Sequence, residues 1–201
     1  MKIIGVTGGV GAGKSSVLDY LHEKYNAVIV RLDDVSRSLL AKDGACYAQT
    51  VEIFGDKIVR EDGTLDRAAI AGIVFSDPCM REKLNSLVHP AVRRETEQLA
   101  ERCRKEGVQL LVLEAALLIE QHYDEICDEL WYIYAGAETR TERLAESRGY
   151  SRERIAGMMA SQLSDEEFRS KATFVLDNDG DFEKTKLRID RHFEEDPPLK
   201  E

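Results

Sequence analysis

The sequence predicts an α/β fold in which helices cover both faces of a parallel β-sheet. Strand candidates alternate with helical stretches along the 201 residues, at 2–7, 27–31, 108–114, 130–135 and 172–177. The third candidate is apolar almost without interruption, which is typical of a central strand buried on both faces. A glycine-rich turn separates the first candidate from a stretch with helical periodicity. Sheets of this kind bind ligands beyond the carboxyl ends of their strands, so the residues after 7, 31, 113 and 135 are expected to converge.

The loop after the first strand carries the strongest chemical signal. Its spacing is GxxxxGKS, with Lys14 and Ser15 at the end. The glycines let the backbone turn its amides inward, the lysine can reach the β- and γ-phosphates of a nucleoside triphosphate, and the serine hydroxyl can bind Mg²⁺. The N-terminus of the following helix also faces the phosphates. The residues predicted to bind the nucleotide are Gly9, Val10, Gly11, Ala12, Gly13, Lys14, Ser15 and Ser16.

Composition limits the class of protein. With 43% hydrophobic and 33% charged residues, the chain resembles water-soluble globular proteins. Apolar stretches are too short for a membrane span, so no membrane partner is expected. The formal net charge of −10 disfavours a nucleic-acid partner, because a polyanionic backbone is gripped by basic surfaces. The N-terminus leads directly into the first strand without a recognisable targeting segment, so a cytoplasmic location is expected.

The spacing of the strands predicts two additions to a single domain, residues 1–201. About seventy residues separate the second and third strands, too many for a simple crossover. We expect an inserted helical subdomain at about residues 41–106, with a long helix that starts at Pro90. A highly charged helical stretch at about 147–170 is expected to form a lid. The core then comprises about 1–40, 107–146 and 171–195, and the tail, 196–201, is expected to fray.

Carboxylates follow two of the predicted strands. Asp33 and Asp34 come after the second strand, and either is a candidate base that orients and deprotonates an acceptor hydroxyl or helps to hold Mg²⁺. An N-cap for a helix beginning at Val35 is the alternative, and the spacing leaves both open. Glu114 ends the third strand in otherwise apolar surroundings, where an unpaired carboxylate would be costly. It is a candidate metal ligand, directly or through water, or a structural partner of a buried arginine.

Arginines are concentrated in and just before the highly charged stretch at about 147–170. Arg143 in particular, and Arg140 and Arg148 after it, can neutralise charge that develops on a transferred phosphoryl group. Glutamates alternate with these arginines, so surface ion pairs are the alternative. In the insertion, Arg67 is either an exposed base at a helix start or a contact to an anionic substrate. His89 directly precedes a proline and fits a helix entrance most simply.

With these residues in order, the chain resembles the dephospho-coenzyme A kinase family. The resemblance begins with the loop at 7–15 and covers nearly the whole chain. Its further motifs are Phe54-Gly55, Asp62-Gly63-Thr64-Leu65-Asp66-Arg67, Leu87-Val88-His89-Pro90, Leu117-Leu118-Ile119-Glu120, Gln162 and Leu176-Asp177-Asn178-Asp179-Gly180. The resemblance implies a P-loop nucleotide kinase fold, in which a five-stranded parallel sheet is flanked by helices and carries an inserted helical substrate subdomain and a helical lid.

The resemblance also implies a reaction and residue roles. The γ-phosphate of ATP, accompanied by Mg²⁺, is transferred to the 3′-hydroxyl of dephospho-CoA, the last step of coenzyme A synthesis. Asp33 looks like the catalytic carboxylate, with Lys14 and Arg143 as the other catalytic residues. The residues expected to bind ATP outside the loop are Arg140 and Asn178, and those expected to bind dephospho-CoA are Asp33, Arg67, His89 and Leu117. The protein is expected to be a monomer or a small homo-oligomer.

Two positions depart from the family pattern. Members usually have Asp-x-Asp after the second strand and a proline before the Leu-Leu pair, whereas this chain has Arg31 and Ala116 there. The first departure leaves open how Asp33 and Asp34 divide the work at that strand end. Another small-molecule P-loop kinase, with a nucleoside or nucleotide as acceptor, is the nearest alternative function. A nucleotide-dependent regulatory protein is less favoured, because no Asn-Lys-x-Asp guanine-reading motif is present.

Overall fold

The computed structural model describes residues 1–198, and the chain forms two compact units. The first comprises Met1–Val30 and the chain from Cys103 onwards, and the second comprises Arg31–Arg102. Residues 199–201, the last part of the predicted frayed tail, lie outside the described residues. Within residues 1–198, no helix combines the length and the hydrophobicity needed to cross a bilayer.

The sheet belongs to the first unit. Its strands are β1 (Lys2–Thr7), β2 (Val28–Arg31), β3 (Leu110–Glu114), β4 (Glu129–Tyr134) and β5 (Phe174–Asp177). They are ordered β2-β3-β1-β4-β5. The pairs of β1 with β3, β1 with β4, and β4 with β5 are parallel. The predicted five-stranded parallel sheet is therefore confirmed, with each strand within about two residues of its predicted limits.

The helices alternate with the strands. They are α1 (Lys14–Tyr25), α2 (Leu32–Leu39), α3 (Tyr47–Phe54), α4 (Arg67–Ser76), α5 (Pro78–Lys105), α6 (Ala137–Arg148), α7 (Arg152–Ala160), α8 (Asp165–Lys171) and α9 (Phe182–Glu195). Short 3₁₀ turns lie at Asp56–Ile58 and Tyr123–Glu125.

The core of the first unit fixes the strand and the helix on either side of the glycine loop. Ile4 of β1 and Leu21 of α1 are fully buried in the same cluster as Trp131 of β4 and Ile189 of α9. Burying an aliphatic side chain of this size stabilises a fold by about 1.5 to 3 kcal/mol. Because both ends of the loop enter this core, the loop is held between two rigid elements.

The second unit is helical and has a core of its own. Phe54, Ile58, Leu65 and Ile70 are buried together between α3, α4 and the intervening turn. Ile70 of α4 is therefore packed inward, while Phe75 near the end of the helix is 90% exposed. The described residues of this core all belong to the second unit.

The long helix of this region begins earlier than predicted. α5 starts at Pro78, and the Asp77 carboxylate caps it by accepting hydrogen bonds from the first-turn amides at 2.9 and 3.1 Å. The predicted start at Pro90 is wrong, and so is a place at a helix entrance for His89. Pro90 lies inside the helix, where it supplies no N–H to the hydrogen-bond ladder. Its neighbour Val92 is 6% exposed, so burial holds the helix together across the proline.

Candidate active site

A tight glycine loop joins β1 to α1. Gly11 and Gly13 have φ of 79° and 86°, a conformation that glycine adopts without steric cost. A Cβ on Gly8 would lie 2.6 Å from a carbonyl oxygen of β4, and one on Gly9 would overlap the guanidinium group of Arg140. The loop therefore requires glycine at positions 8, 11 and 13, whereas at Gly9 the flexible end of the Arg140 side chain would have to move.

The loop presents positive charge and hydrogen-bond donors where α1 begins. The first-turn amides of a helix lack partners within the helix, and its dipole makes this end positive. Lys14 adds an ammonium group that donates to the carbonyl oxygens of Gly8 and Gly9 at 2.8 and 3.4 Å. Ser15 and Ser16 follow in the first turn and are exposed. Amides, ammonium and hydroxyls together make an anion-binding site.

Asn178 and Arg143 hold the loop by its carbonyl side. Asn178, directly after β5, is 3% exposed, and its side-chain nitrogen donates to the Ala12 oxygen at 2.8 Å. Its side-chain oxygen accepts from the Thr185 hydroxyl at 2.9 Å. Arg143 of α6 donates to the backbone oxygen of Asn178 at 2.9 Å and to that of Ala12 at 3.5 Å. The structure thus brings two of the predicted site residues to the loop.

Arg140 and Gln162 lie against the first half of the loop. The guanidinium group of Arg140, one turn before Arg143 in α6, contacts Gly9. Gln162, between α7 and α8, accepts a hydrogen bond from the Val10 amide at 2.9 Å. Gln162 belongs to a motif of the family resemblance that implies no role for it. Its contact with the loop has no signal in local sequence, because 152 residues separate the two partners.

Glu114 and Leu117 lie at and beyond the end of β3. Glu114 is half-buried and in register with Val6 of β1, so its strand ends beside the strand that enters the loop. Leu117 is 53% exposed. Hydroxyl and carboxylate oxygens, such as those of Ser15 and Glu114, suit Mg²⁺, which usually keeps several waters and takes few protein ligands. Within residues 1–198, no group of three or more His, Cys, Asp or Glu side chains is arranged so that it could hold a metal ion.

Asp33 and Asp34 lie in the first turn of α2 in the second unit. The helix begins at Leu32, whose side chain is buried, and Arg31 occupies the N-cap position. The N-cap interpretation of the two acids is therefore wrong. Asp34 forms an ion pair with Arg37 at 2.6 Å. Asp33 is exposed, and within residues 1–198 its carboxylate has no hydrogen bond or ion pair.

Arg67 and His89 are the other predicted substrate residues of the second unit. Arg67 is the first residue of α4, and Asp66 caps that helix by accepting from two backbone amides at 3.0 and 3.1 Å. The helix-start interpretation is thus confirmed, and the exposed Arg67 side chain donates to the Arg37 carbonyl at 3.4 Å. His89 is half-buried in α5, and this burial lowers the pKa of its imidazole. The lowered pKa favours the neutral imidazole at pH 7.

The glycine loop, the helix that it opens and the parallel sheet define the class of this protein, a P-loop kinase. The comparisons with known proteins identify the group within this class. The dephospho-CoA kinase family matches residues 2–184. The dephospho-CoA kinase of Symbiobacterium thermophilum is 37% identical over 190 residues, which cover 94% of this chain and 79% of the relative. The one of Geobacter sulfurreducens is 35% identical, with 94% and 96% covered.

A solved structure is also similar to this chain, in both fold and sequence. A crystal structure from Thermus thermophilus superposes with a TM-score of 0.81 and 32% identity, over 96% of this chain and 97% of that one. The chain belongs to the dephospho-CoA kinase family, which confirms the resemblance found in the sequence. It is thus an ATP-dependent phosphotransferase of coenzyme A synthesis.

Proposed function

We propose that the chain transfers the γ-phosphate of ATP in line to the 3′-hydroxyl of dephospho-CoA, without a covalent enzyme intermediate. The observation that carries this proposal is the glycine loop, braced by Asn178 and Arg143, in a chain of the dephospho-CoA kinase family. In phosphoryl transfer, positioning and electrostatic stabilisation supply nearly all of the catalysis.

The first unit is proposed to hold ATP. The backbone amides of residues 9–16 and the ammonium group of Lys14 bind the phosphates. Arg140 and Arg143 contribute two guanidinium groups that already contact the loop, so their charge can offset the charge developing on the transferred group. Asn178 supports ATP binding by fixing the Ala12 carbonyl, since both ends of its amide have protein partners.

Ser15 and Glu114 are proposed to hold Mg²⁺ with ATP. The hydroxyl of Ser15 is exposed at the start of α1, and the Glu114 carboxylate ends the strand next to β1. Glu114 is proposed to act directly or through a water. When bound, the ion neutralises phosphate charge in the transition state.

The second unit is proposed to supply the base and much of the acceptor site. Asp33 is preferred to Asp34 as the base, because Asp34 is committed to Arg37 whereas Asp33 has no partner within residues 1–198. An unpaired carboxylate can orient the 3′-hydroxyl and accept its proton. The exposed guanidinium of Arg67 suits the anionic part of dephospho-CoA, neutral His89 can donate or accept one hydrogen bond, and Leu117 of the first unit offers apolar surface.

The proposal is tested with Asp33→Asn and its matched control Asp34→Asn. We expect Asp33→Asn to lower turnover by roughly 10²- to 10⁴-fold, the usual effect of losing a general base, with the Kd of ATP unchanged. The control is expected to stay within a few-fold of wild type. ADP release is measured by a coupled assay with dephospho-CoA and with nucleoside monophosphates as acceptors. Inert dephospho-CoA alongside an active nucleoside monophosphate would overturn the acceptor, and full activity of Asp33→Asn would remove Asp33 from its role.

Residues 147–170 are proposed to act as a lid that closes over ATP, and residues 41–106 to receive the CoA moiety. Closure matters because water in an open site would hydrolyse the nucleotide. Limited proteolysis with and without both substrates tests the lid, and equal cleavage of residues 147–170 in the two states would contradict it.

The solution state and the location of the protein also belong to this proposal. We propose a monomer or small homo-oligomer that acts in the cytoplasm on two small-molecule substrates. Light scattering after size-exclusion chromatography measures the mass, and a large assembly would contradict the first part.

A further inference from the structure

Gln162 contacts the phosphate loop in a way that none of the proposed roles uses. Its side-chain oxygen Oε1 accepts a hydrogen bond from the Val10 amide at 2.9 Å. The same oxygen lies 3.5 Å from the place of a Cβ on Gly9. The carboxamide therefore lies directly over the first half of a loop whose amides are proposed to bind phosphate.

The backbone on both sides of Gln162 is anchored, so the contact does not come from a loose surface side chain. The backbone amide of Gln162 donates a hydrogen bond to the backbone carbonyl of Met159 at 3.2 Å. This hydrogen bond continues the last turn of α7. Ser164 then starts α8 with a reciprocal capping box. Phe168 of that helix is buried and stacks on Tyr132 of β4, with ring centroids 4.7 Å apart and planes 8° apart. α7 and α8 thus fix the backbone on both sides of Gln162 and position its carboxamide against the loop.

A carboxamide carries both a hydrogen-bond acceptor and a donor, so it can form a hydrogen bond with the loop and also with a bound phosphate. A carboxylate or an apolar side chain cannot do both. Phosphate oxygens only accept hydrogen bonds, so a phosphate that takes the Val10 amide leaves Gln162 Oε1 without its donor and beside negative charge. Rotation of the terminal torsion exchanges the oxygen and nitrogen of the carboxamide. The angles that this torsion adopts have a broad, nearly two-fold distribution, so the exchange costs little energy.

We infer that Gln162 is a nucleotide-binding residue, which exchanges its hydrogen bond to Val10 for one donated by Nε2 to the polyphosphate of ATP. The inference rests on the proposed function, because it requires ATP in the loop. It adds a neutral donor from the α7–α8 connection to the charged groups of Lys14, Arg140 and Arg143. A hydrogen bond to a charged partner changes affinity by roughly 10- to 100-fold.

Two substitutions of similar size separate this role from a purely structural one. Gln162→Met removes the donor and the acceptor. Gln162→Glu keeps an acceptor for the Val10 amide, removes the donor and adds negative charge beside the phosphates. We expect the Kd of MgATP, measured by calorimetry at neutral pH, to rise roughly 10-fold or more for Gln162→Met and further for Gln162→Glu. If Gln162 only holds the loop through its oxygen, the order reverses and Gln162→Glu binds the more tightly.

The reversed order, or wild-type affinity in both variants, overturns the inference. Gln98→Glu, at an exposed position of α5, adds the same charge elsewhere and is expected to keep the wild-type Kd within about two-fold. Wild-type protein is assayed in parallel for dephospho-CoA-dependent ADP release. Absence of both ATP binding and turnover in wild type overturns this inference together with the proposed function. Normal wild-type binding and turnover with unaffected Gln162 variants overturns the inference alone.

Discussion

Replacement of Gly13 by alanine is expected to destabilise the first unit severely, because two separate features of the fold oppose a Cβ there. Gly13 has φ of 86°. A Cβ would also overlap the side-chain nitrogen of Asn178. That amide is buried and held at both ends, by Ala12 at 2.8 Å and by Thr185 at 2.9 Å. It can move aside only by breaking these hydrogen bonds.

The left-handed backbone and the overlap with Asn178 each lower the free energy of unfolding of Gly13→Ala. A side chain forced into the left-handed region costs about 1 to 2 kcal/mol. Displacement of the Asn178 amide breaks two buried hydrogen bonds, each with a net value of about 1 to 1.5 kcal/mol. The free energy of unfolding should therefore fall by about 3 to 5 kcal/mol in Gly13→Ala, a large part of the stability of a typical domain.

Gly149→Ala supplies the matched control within the same unit. Gly149 has φ of 63° at the end of α6, but no atom lies within 4 Å of the place of its Cβ. Only the backbone cost of about 1 to 2 kcal/mol is expected there. Urea unfolding, followed by the fluorescence of the single tryptophan, Trp131, measures both variants. Equal losses would refute the steric reasoning, as would strict additivity in the double variant Gly13→Ala/Asn178→Ala, in which the overlap no longer exists.

Three further substitutions test other parts of the molecule. Burial raises the pKa of Glu129, but hydrogen bonds from Lys2, an indole and an imidazole outweigh it and hold this pKa below its ordinary value of 4.5. The charged form therefore stabilises the fold above that value, and the stability lost in Glu129→Gln should shrink as the pH falls through the folded-state pKa; a loss independent of pH in urea unfolding would contradict this. Pro90→Ala should raise the free energy of unfolding by about 1 to 3 kcal/mol, because α5 regains an N–H donor, and an unchanged or lower melting temperature would argue against it. Phe168→Ala should lower the hydrogen-exchange protection of α8 by about 3 kcal/mol, since the ring is buried against Tyr132, and unchanged protection would exclude that anchor.

The elements nearest the loop could be predicted closely, because neighbouring residues specify them. β1 runs from Lys2 to Thr7, the limits predicted from its apolar run, and α1 follows the glycines directly. Strand, turn and helix each have a local signal here, and the three signals agree.

The long helix of the second unit was mispredicted because two prolines satisfy the same local rule. Both Pro78 and Pro90 can occupy a first helical position, and only Pro78 follows a capping acid, Asp77. The buried side chains around Pro90 keep the helix continuous there, and burial is a tertiary effect that the local pattern does not report. The same limit explains α2, which begins at the buried Leu32 rather than after the acids.

The contacts that Asn178 and Gln162 make with the loop could not be predicted from the sequence, for a different reason. Asn178 lies 166 residues from Ala12, and Gln162 lies 152 residues from Val10. Each residue was found through a family motif, but the atom that it contacts depends on the order of β1, β4 and β5 in the sheet. Secondary-structure propensity carries no information about such pairs.

The contacts of the loop follow one physical rule. A loop that turns its amides toward a phosphate must turn carbonyl groups elsewhere, and each buried carbonyl needs a donor. Lys14 supplies donors to Gly8 and Gly9, while Asn178 and Arg143 supply them to Ala12. These bonds orient the loop dipoles in the folded protein, so little reorganisation remains when charge develops on the phosphoryl group. Asn178, whose amide has protein partners at both ends, is therefore expected to affect ATP binding through the loop that it holds.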